Sequence, residues 1–210
     1  MNFRFDEQEF RNRAAGRLHA SPADTPRFSD DDLNPHARMI PQGETPKPAA
    51  VLVPVVPRGA GLHLLLTQRQ PHLKRHAGQV AFPGGRVDEA DVDAVAAALR
   101  ETAEETGITP EFVEPLGFLD TYLTSTNYRV VPVVAVVRPG FQLMPHAGEV
   151  ADVFEVPLAF LMNPKHHERH SREYQGAERF YYAMPWQERY IWGATAGMIR
   201  NLYRLMYETP

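Results

Sequence analysis

Three glutamates in the middle of the chain have the residue type and the spacing of a metal site. Glu101, Glu104 and Glu105 lie in an alanine-rich run, where positions three and four apart share one face of an α-helix. Residues 106–109 read TGIT, so no lysine or arginine follows one turn later to offset their repulsion. Mg²⁺ and Mn²⁺ prefer carboxylate, carbonyl and water oxygens, and the cluster therefore predicts a site for one of these ions. Taken alone, the cluster also fits a solvated acidic face.

The flanking residues predict how these carboxylates are positioned. We expect a helix over residues 93–106, ended by Gly107 in the left-handed conformation, with a buried stripe at helical spacing formed by Val95, Ala98, Leu99 and Thr102. The Gly84–Gly85 turn upstream lets a backbone carbonyl approach a metal without a side chain in the way.

A basic loop lies directly upstream of this turn. It carries Arg69, Lys74, Arg75 and His76 in a chain whose formal net charge is −4. Phosphate affinity in such a chain must be local, and this loop is the predicted local site for the phosphates of a substrate. A solvated surface loop is the alternative interpretation.

Composition excludes several other chemistries. The sequence contains no cysteine, which rules out disulfides, thiolate metal sites and cysteine nucleophiles, and favours a cytoplasmic or similar reducing location. The net charge gives no whole-chain attraction to nucleic acid or anionic membranes. No apolar run approaches the roughly 20 residues of a membrane span, and the charged N-terminus lacks the apolar core of a signal peptide. We therefore expect no nucleic-acid or membrane partner; the oligomeric state is left open.

The remaining elements predict an α/β fold, with a mixed sheet flanked by helices. Two apolar runs around a turn at residues 57–61 predict a hairpin, and further strands are expected at 129–137, 149–156 and in the aromatic segments after residue 178. A packed helix is predicted over residues 194–206. Pro132 predicts that its strand lies at an edge, at an end or at a bulge. The polar segment after residue 162 is expected to be a loop.

The first 48 residues differ in character from the rest. A short amphipathic helix with Phe10, Ala14 and Leu18 at helical spacing is followed by a lead-in rich in Pro, Asp and Ser. We predict an N-terminal extension over residues 1–48, which could also be poorly ordered, and a catalytic domain over 49–210.

The segment from Gly85 to Ile108 resembles the Nudix box, G-x5-E-x7-R-E-U-x-E-E-x-G-U, where U is a bulky aliphatic residue. Asp91 stands where the box has Glu, the interval from Asp91 to Arg100 is one residue longer, and Thr102 replaces an aliphatic residue. The matching positions are Arg100-Glu101, Glu104-Glu105, Gly107 and Ile108.

A second resemblance is to coenzyme A pyrophosphatases. Residues 65–85 read LLTQRQPHLKRHAGQVAFPGG and resemble the signature that precedes the box in that subfamily, LLTxR[SA]x3Rx3Gx3FPGG. Gln70 departs from Ser or Ala, and Lys74 stands where Arg is usual, with Arg75 adjacent. The longer box and the final IWGATAGMIR are also similar, so the resemblance covers about residues 50–206.

These resemblances imply a Nudix-type α/β/α sandwich and a hydrolase that requires Mg²⁺ or Mn²⁺. They imply that Glu101, Glu105 and Glu104 bind the metal with the Gly85 carbonyl, and that Arg100 holds a glutamate in position. The implied reaction is cleavage of the diphosphate of coenzyme A or acyl-CoA to 3′,5′-ADP and (acyl-)4′-phosphopantetheine. The alternatives are a Nudix hydrolase of ADP-ribose or a dinucleotide, and a non-catalytic nucleotide-binding Nudix module.

Several residues outside the box stay open between a functional and a structural role. Glu149 is the candidate general base, with a surface carboxylate as the alternative and Glu155 as the second choice. Three histidines, His166, His167 and His170, are expected to be solvent-exposed rather than metal ligands. The aromatic residues of the C-terminal strands are expected in the core rather than under an adenine base; they are Tyr181, Tyr182, Trp186, Tyr190 and Trp192. Tyr128 fits either role.

Overall fold

A computed structural model describes residues 3–208. Four helices are present, α1 Glu7–Arg17, α2 Ala94–Thr106, α3 Leu158–Leu161 and α4 Ala194–Met206. The first eight strands are β1 Phe28–Ser29, β2 Lys47–Arg58, β3 Gly61–Arg69, β4 Val80–Ala81, β5 Gly84–Arg86, β6 Val113–Phe118, β7 Tyr122–Leu123 and β8 Tyr128–Val137. The last four are β9 Val150–Pro157, β10 Glu168–Tyr174, β11 Ala177–Trp186 and β12 Arg189–Trp192. Within the described part of the chain, no helix is both long and apolar enough to cross a membrane.

The strands form two sheets. The larger is a nine-stranded mixed sheet in the order β1-β7-β8-β2-β3-β4, with β5 also paired to β2, β6 to β8 and β9 to β3. Its centre is the parallel pair of β2 and β8, and the predicted hairpin of β2 and β3 is confirmed. The smaller sheet is antiparallel, in the order β10-β11-β12.

Helices cover both faces of the larger sheet. Strand β2 is apolar along its length because alternate residues enter two separate cores. Ala50, Leu52 and Val56 pack with α2 on one face, while Val53 and Val55 pack with α1 and α4 on the other. The predicted mixed sheet flanked by helices, an α/β/α sandwich, is confirmed.

The N-terminal helix is part of the second core. The Asp6 carboxylate caps α1 by accepting a hydrogen bond from the Glu9 N–H at 2.8 Å, and Phe10 and Ala14 are buried. The Arg11 guanidinium makes a bidentate ion pair with Glu114 on β6. The predicted amphipathic helix is therefore confirmed, and burial and an ion pair dock it on the sheet.

Of the three positions predicted for Pro132, an edge and an end are wrong, and the pairing of β8 with β2 shows no bulge at this residue. Strand β8 is internal, between β2 on one side and β6 and β7 on the other. Pro132 lies opposite the interval between β6 and β7, where its carbonyl accepts a hydrogen bond from the Leu119 N–H at 3.1 Å. The missing proline N–H therefore falls where the ladder is already interrupted, and the cost of an internal proline is avoided.

The loop predicted after residue 162 is also wrong in part. Residues of β10 pair with β11 over seven positions although most of their side chains are exposed. A polar strand of this kind lacks the alternation of hydrophobic residues that marks a half-buried strand. The hairpin is closed by Gln175 and Gly176, both with positive φ, as in two-residue hairpin turns.

Candidate active site

Helix α2 begins and ends as its sequence predicts. The Asp93 side chain accepts a hydrogen bond from the Ala96 N–H at 2.8 Å, and Gly107 ends the helix with φ 79°. The predicted stripe faces the core, with Ala98 and Thr102 fully buried. Glu105 continues this stripe one turn further, so a carboxylate occupies a position that the helix geometry directs inward.

The carboxylates of α2 pack against the Gly84–Gly85 turn. The Gly84 N–H donates a hydrogen bond to Glu105 Oε2 at 3.2 Å. A Cβ added to Gly85 would lie 2.5 Å from Glu101 Oε1, so only glycine permits this approach. Pairing of Gly85 with Ala50 on β2 fixes the turn in the larger sheet.

Burial disfavours the negative charge at this position. Glu105 is 5% exposed, and desolvation raises the pKa of its carboxyl to about 7. The Gly84 N–H and the Arg69 guanidinium lower this pKa, whereas the charges of Glu101 and Glu149 raise it. Burial also raises the pKa of Glu101, against the lowering by Arg100. The site therefore holds two carboxylates that lack a full counter-charge.

Arg100 ties the acidic loop to the helix. Its Nε and Nη2 donate to the two oxygens of Asp91 at 3.0 and 2.9 Å, and its Nη1 donates to Glu101 Oε1 at 3.1 Å. The hydrogen bond from Arg100 lowers the pKa of Asp91. Glu104 lies 3.3 Å from Nη1 but keeps 61% of its side chain exposed. The predicted bond from Arg100 to a box glutamate is present, and its bidentate partner is Asp91.

A loop carrying Glu149 closes over the end of α2. The His146 N–H donates to the Glu105 carbonyl at 3.0 Å, and the Gln70 N–H donates to the Glu149 carbonyl at 2.8 Å. The Gln70 side chain holds the same loop through the Ala147 carbonyl at 2.9 Å. Since the Glu149 charge raises the pKa of both Glu101 and Glu105, its carboxylate lies within electrostatic reach of them. Glu155 is engaged elsewhere, in a bidentate ion pair with Arg58.

The predicted basic loop divides into two groups. Arg69 Nη1 lies 3.7 Å from Glu105 Oε1, and Arg75 and His76 line a cavity that also contains Gly84 and Gly85. Lys74 is exposed and is outside the lining of this cavity. Arg69 therefore lies beside Glu105, and Arg75 and His76 share a cavity with the glycine turn.

This cavity reveals residues that sequence reasoning missed. It encloses about 890 Å³, and seven arginines but only two aspartates line it. Five of these arginines were not predicted, namely Arg86, Arg172, Arg179, Arg200 and Arg204. They come from β5, the smaller sheet and α4, and only the tertiary fold brings them to one wall.

The C-terminal aromatic residues do not share one environment. Tyr182 and Trp186 pack against the core as predicted, although Tyr182 also lines the cavity; Tyr181 and Trp192 line the cavity and are outside the core, and Tyr190 is 39% exposed. Their assignment to the core is therefore wrong for three of the five. Tyr128 lines the cavity as well, and its hydroxyl accepts hydrogen bonds from Arg86 at 2.8 and 3.0 Å.

The predicted solvent exposure of the three histidines is wrong, because each is half-buried. The His166 ring stacks on Phe160 with centroids 4.0 Å apart. His167 is packed against Tyr203, and burial lowers its pKa. His170 bonds to the Tyr190 hydroxyl and to Glu168, each at 2.7 Å. These separate contacts give the three rings structural roles.

The chemistry of the acidic pair fits a hard divalent cation. Across residues 3–208, no three His, Asp or Glu side chains are arranged around a common point for a metal ion. The donors near the turn are nevertheless carboxylate and carbonyl oxygens, and a cation would relieve the charge that burial disfavours at Glu105. Such an ion would be bound by the carboxylates of Glu101 and Glu105, by the exposed carboxylate of Glu104 and by the Gly85 carbonyl.

Comparison with known proteins shows the family of the chain. A family model of the NUDIX domain matches residues 45–176, more than half of the chain. The chain is 44% identical over 179 residues to a protein from Citrobacter koseri described as the uncharacterized Nudix hydrolase NudL, covering 82% of this chain and 92% of that protein. It is 46% identical over 156 residues to NudL of Escherichia coli K12, covering 73% and 80%. The chain therefore belongs to the Nudix hydrolase family.

Among solved structures, the chain is similar to a Caenorhabditis elegans Ap4A hydrolase in a binary complex. The TM-score is 0.47 and the identity 25%, over 53% of this chain and 80% of that one. The NUDIX domain of Shewanella oneidensis NrtR, in complex with ADP ribose, gives a TM-score of 0.43 and 26% identity, over 55% and 75% of the two chains.

Proposed function

We propose that this Nudix hydrolase cleaves the diphosphate of coenzyme A or acyl-CoA, giving 3′,5′-ADP and (acyl-)4′-phosphopantetheine. The observation that carries the proposal is that the segment resembling the coenzyme A signature, residues 65–85, links the basic loop to the glycine turn and to the buried carboxylates. Arg69 lies within 3.7 Å of Glu105, and Arg75 and His76 line the same cavity as Gly84 and Gly85. A diphosphate bound by these cations would lie beside the acidic pair.

In this proposal Glu101, Glu105, Glu104 and the Gly85 carbonyl bind Mg²⁺ or Mn²⁺. The bound ion supplies charge neutralisation at the phosphate oxygens and a more acidic water. Arg100 holds Glu101 and the acidic loop in place through its bonds to Asp91 and Glu101. Arg69, Arg75 and His76 bind and orient the diphosphate, and Lys74 adds positive charge at the rim.

Glu149 is the proposed general base. Its carboxylate takes the proton of a water whose oxygen forms a bond to one phosphorus while the bridging P–O bond breaks. The leaving phosphate takes the electron pair of that bond, and one water is consumed for each diphosphate cleaved. Support comes from the electrostatic coupling of Glu149 to both buried glutamates and from the bonds of Gln70 that hold its loop.

The departures from the coenzyme A signature support a second candidate, a hydrolase of ADP-ribose or of a dinucleotide. Lys74, which stands where that signature has arginine, is outside the cavity lining, and Gln70 is committed to the Glu149 loop. Faster turnover of a substrate that lacks the 3′-phosphate would favour this candidate.

A competition of substrates separates the two. Coenzyme A, ADP-ribose and a dinucleoside polyphosphate are incubated with the protein and Mn²⁺, with EDTA as the metal-free control, and products are separated by chromatography. We expect 3′,5′-ADP from coenzyme A as the fastest product, and none with EDTA. Glu101→Gln and Glu105→Gln should each abolish most turnover while the fold is retained. No hydrolysis of any of the three substrates would favour the non-catalytic binding module, whereas undiminished turnover in both variants would contradict the assignment of Glu101 and Glu105 as metal ligands.

A further inference from the structure

One face of the smaller sheet forms a wall of the cavity. Its residues lie far along the chain from the segment 85–108 that carries the glutamates. Arg172 on β10 and Arg179 on β11 are direct cross-strand partners, and both line the cavity. Side chains that are directly opposite on an antiparallel pair lie close together, and like charges there are destabilising. The two arginines therefore need negative charge nearby.

Of these two arginines, only Arg179 has an acidic partner in the protein, and this partner does not use all of its N–H donors. Its Nη2 donates to Asp31 Oδ1 at 2.8 Å, and the Asp31 carboxylate also accepts from the N–H groups of Met39 and Ile40. Arg179 is 8% exposed, yet its Nη1 has no hydrogen-bond partner among the described residues. A buried guanidinium donor without a partner is costly, and it indicates that an acceptor is missing from this wall.

Arg172 has no acidic partner anywhere in residues 3–208. Its guanidinium lies over the Trp192 ring, 4.6 Å from the centroid, and Trp192 is in turn supported by Tyr181 at 5.1 Å. Stacking uses the flat face of a guanidinium and leaves the N–H donors at its edge free to form hydrogen bonds. The aromatic pair thus holds Arg172 while its donors remain available to a ligand in the cavity.

The wall as a whole favours an anion with more than one charge. Seven arginines and two aspartates line the cavity of a chain whose net charge is −4. A phosphomonoester carries close to two negative charges at neutral pH and presents three acceptor oxygens. It matches two adjacent guanidinium groups better than a phosphate inside a diphosphate, which carries a single charge.

We propose that Arg172 and Arg179 form a second phosphate subsite, specific for a phosphomonoester, with Trp192 as the residue that positions Arg172. The inference rests on the proposed function, in which the diphosphate occupies the basic loop and the turn. The only phosphomonoester of coenzyme A is its ribose 3′-phosphate, and this subsite would select for it.

Binding of two nucleotides that differ only in that group tests the subsite without any hydrolysis. Calorimetry of the protein in EDTA with coenzyme A and with 3′-dephospho-coenzyme A, whose other phosphates lie within the diphosphate, gives the preference for the 3′-phosphate, expected to be roughly tenfold or more. Arg172→Met should remove this preference by weakening the binding of coenzyme A to that of its 3′-dephospho form. The matched control is Arg169→Met on the same strand, because Arg169 lies over the Phe180 ring and is not itself part of the cavity lining.

The role of Trp192 has its own readout. Trp192→Phe keeps a ring under Arg172 and should retain the preference, whereas Trp192→Leu should weaken it by reducing the affinity for coenzyme A more than that for 3′-dephospho-coenzyme A. Arg179 is a poor first target because its removal would leave the buried Asp31 carboxylate without its counter-charge. An unchanged preference in Arg172→Met, or an equal loss in Arg169→Met, would overturn the proposal.

Hydrolysis distinguishes the failure of this subsite from the failure of the proposed function. If coenzyme A is not cleaved but Arg172 still governs the preference in binding for coenzyme A over its 3′-dephospho form, the subsite stands and the assigned reaction is wrong. If coenzyme A is cleaved and Arg172→Met leaves the ratio of kcat/KM for coenzyme A and 3′-dephospho-coenzyme A unchanged, the function stands and the subsite is wrong.

Discussion

Glu105 shows how a single residue can connect the helix pattern to the proposed chemistry. It continues the buried stripe of α2, where an apolar residue would be expected, and its burial raises the pKa of its carboxyl to about 7. The groups that face it are the Gly84 N–H and Arg69, which favour its charge, and Glu101 and Glu149, which oppose it. A divalent cation would stabilise the charged form of this carboxylate.

The first prediction concerns the pH dependence of stability without metal. The folded state binds the Glu105 proton more tightly than the unfolded state, whose ordinary pKa is 4.5. The free energy of unfolding in EDTA should therefore fall as the pH rises from 4.5 to 7, by at most about 3 kcal/mol for this group. Urea unfolding at pH 5 and pH 8 measures the change. Glu105→Gln should remove most of it and the exposed Glu104→Gln should not; equal pH dependence in wild type and Glu105→Gln would contradict the assignment.

The second prediction concerns Gly85. A Cβ at this position would lie 2.5 Å from the Glu101 carboxylate, so Gly85→Ala should displace Glu101 from the turn. We expect turnover to fall by roughly a hundredfold, as for a catalytic group moved by about 1 Å, while circular dichroism stays unchanged. Gly59→Ala is the control, because nothing lies within 4 Å of its added Cβ and its φ is outside the left-handed region that favours glycine. Equal activity of the two variants would show that the turn does not set the position of Glu101.

Individual site residues could be predicted from sequence where they follow one another along the chain. The box glutamates, the glycine turn and the start of the basic loop lie within 40 residues, and the structure brings Arg69, Gly84 and Glu105 together. Arg172 and Arg179 could not be found in this way. Their signal is a cross-strand register set by a hairpin whose strand had no hydrophobic alternation.

Among the elements, sequence predicted best those with strong local patterns. Helix α2 has its cap, its stripe and its terminal glycine in the sequence, and β2 has a continuous apolar run. Pro132 and β10 were misassigned because their placement depends on neighbouring strands. Pro132 is internal only because β6 and β7 leave a gap opposite it, and β10 is a strand only because β11 pairs with it.

The third prediction tests the contribution of α1. Phe10 is completely buried between this helix and the core shared with α4, so Phe10→Ala leaves a cavity there. The free energy of unfolding should fall by about 3–5 kcal/mol, measured by urea denaturation. Gln8→Ala, at an exposed position of the same helix, should change it by less than about 0.5 kcal/mol. A small effect of Phe10→Ala would mean that residues 1–48 are a dispensable extension.

At the scale of the whole molecule, the charge distribution opposes the net charge. The chain is acidic overall, but seven arginines and only two aspartates line the cavity beside the turn. These arginines come from the large sheet, the small sheet and α4, so the positive surface exists only in the assembled fold. Net charge alone would have argued against an anionic substrate.

The fourth prediction follows from this distribution. Salt screens the attraction between the cavity and a multiply charged substrate, so the KM for coenzyme A should rise several-fold between low salt and about 0.3 M NaCl. The kcat should change less, because Glu105 is buried and salt screens buried charges less than exposed ones. Initial rates over a salt series measure both constants, with a salt series in potassium glutamate as the control for a specific chloride effect. A KM that is independent of ionic strength would contradict an arginine-lined binding cavity.

The most direct test of the central claim is the product profile from coenzyme A with Mn²⁺. The proposed function predicts equal amounts of 3′,5′-ADP and 4′-phosphopantetheine, no products in EDTA, and almost none from Glu105→Gln. Absence of 3′,5′-ADP at every Mn²⁺ concentration, from a protein that is folded and cleaves another nucleoside diphosphate, would contradict it.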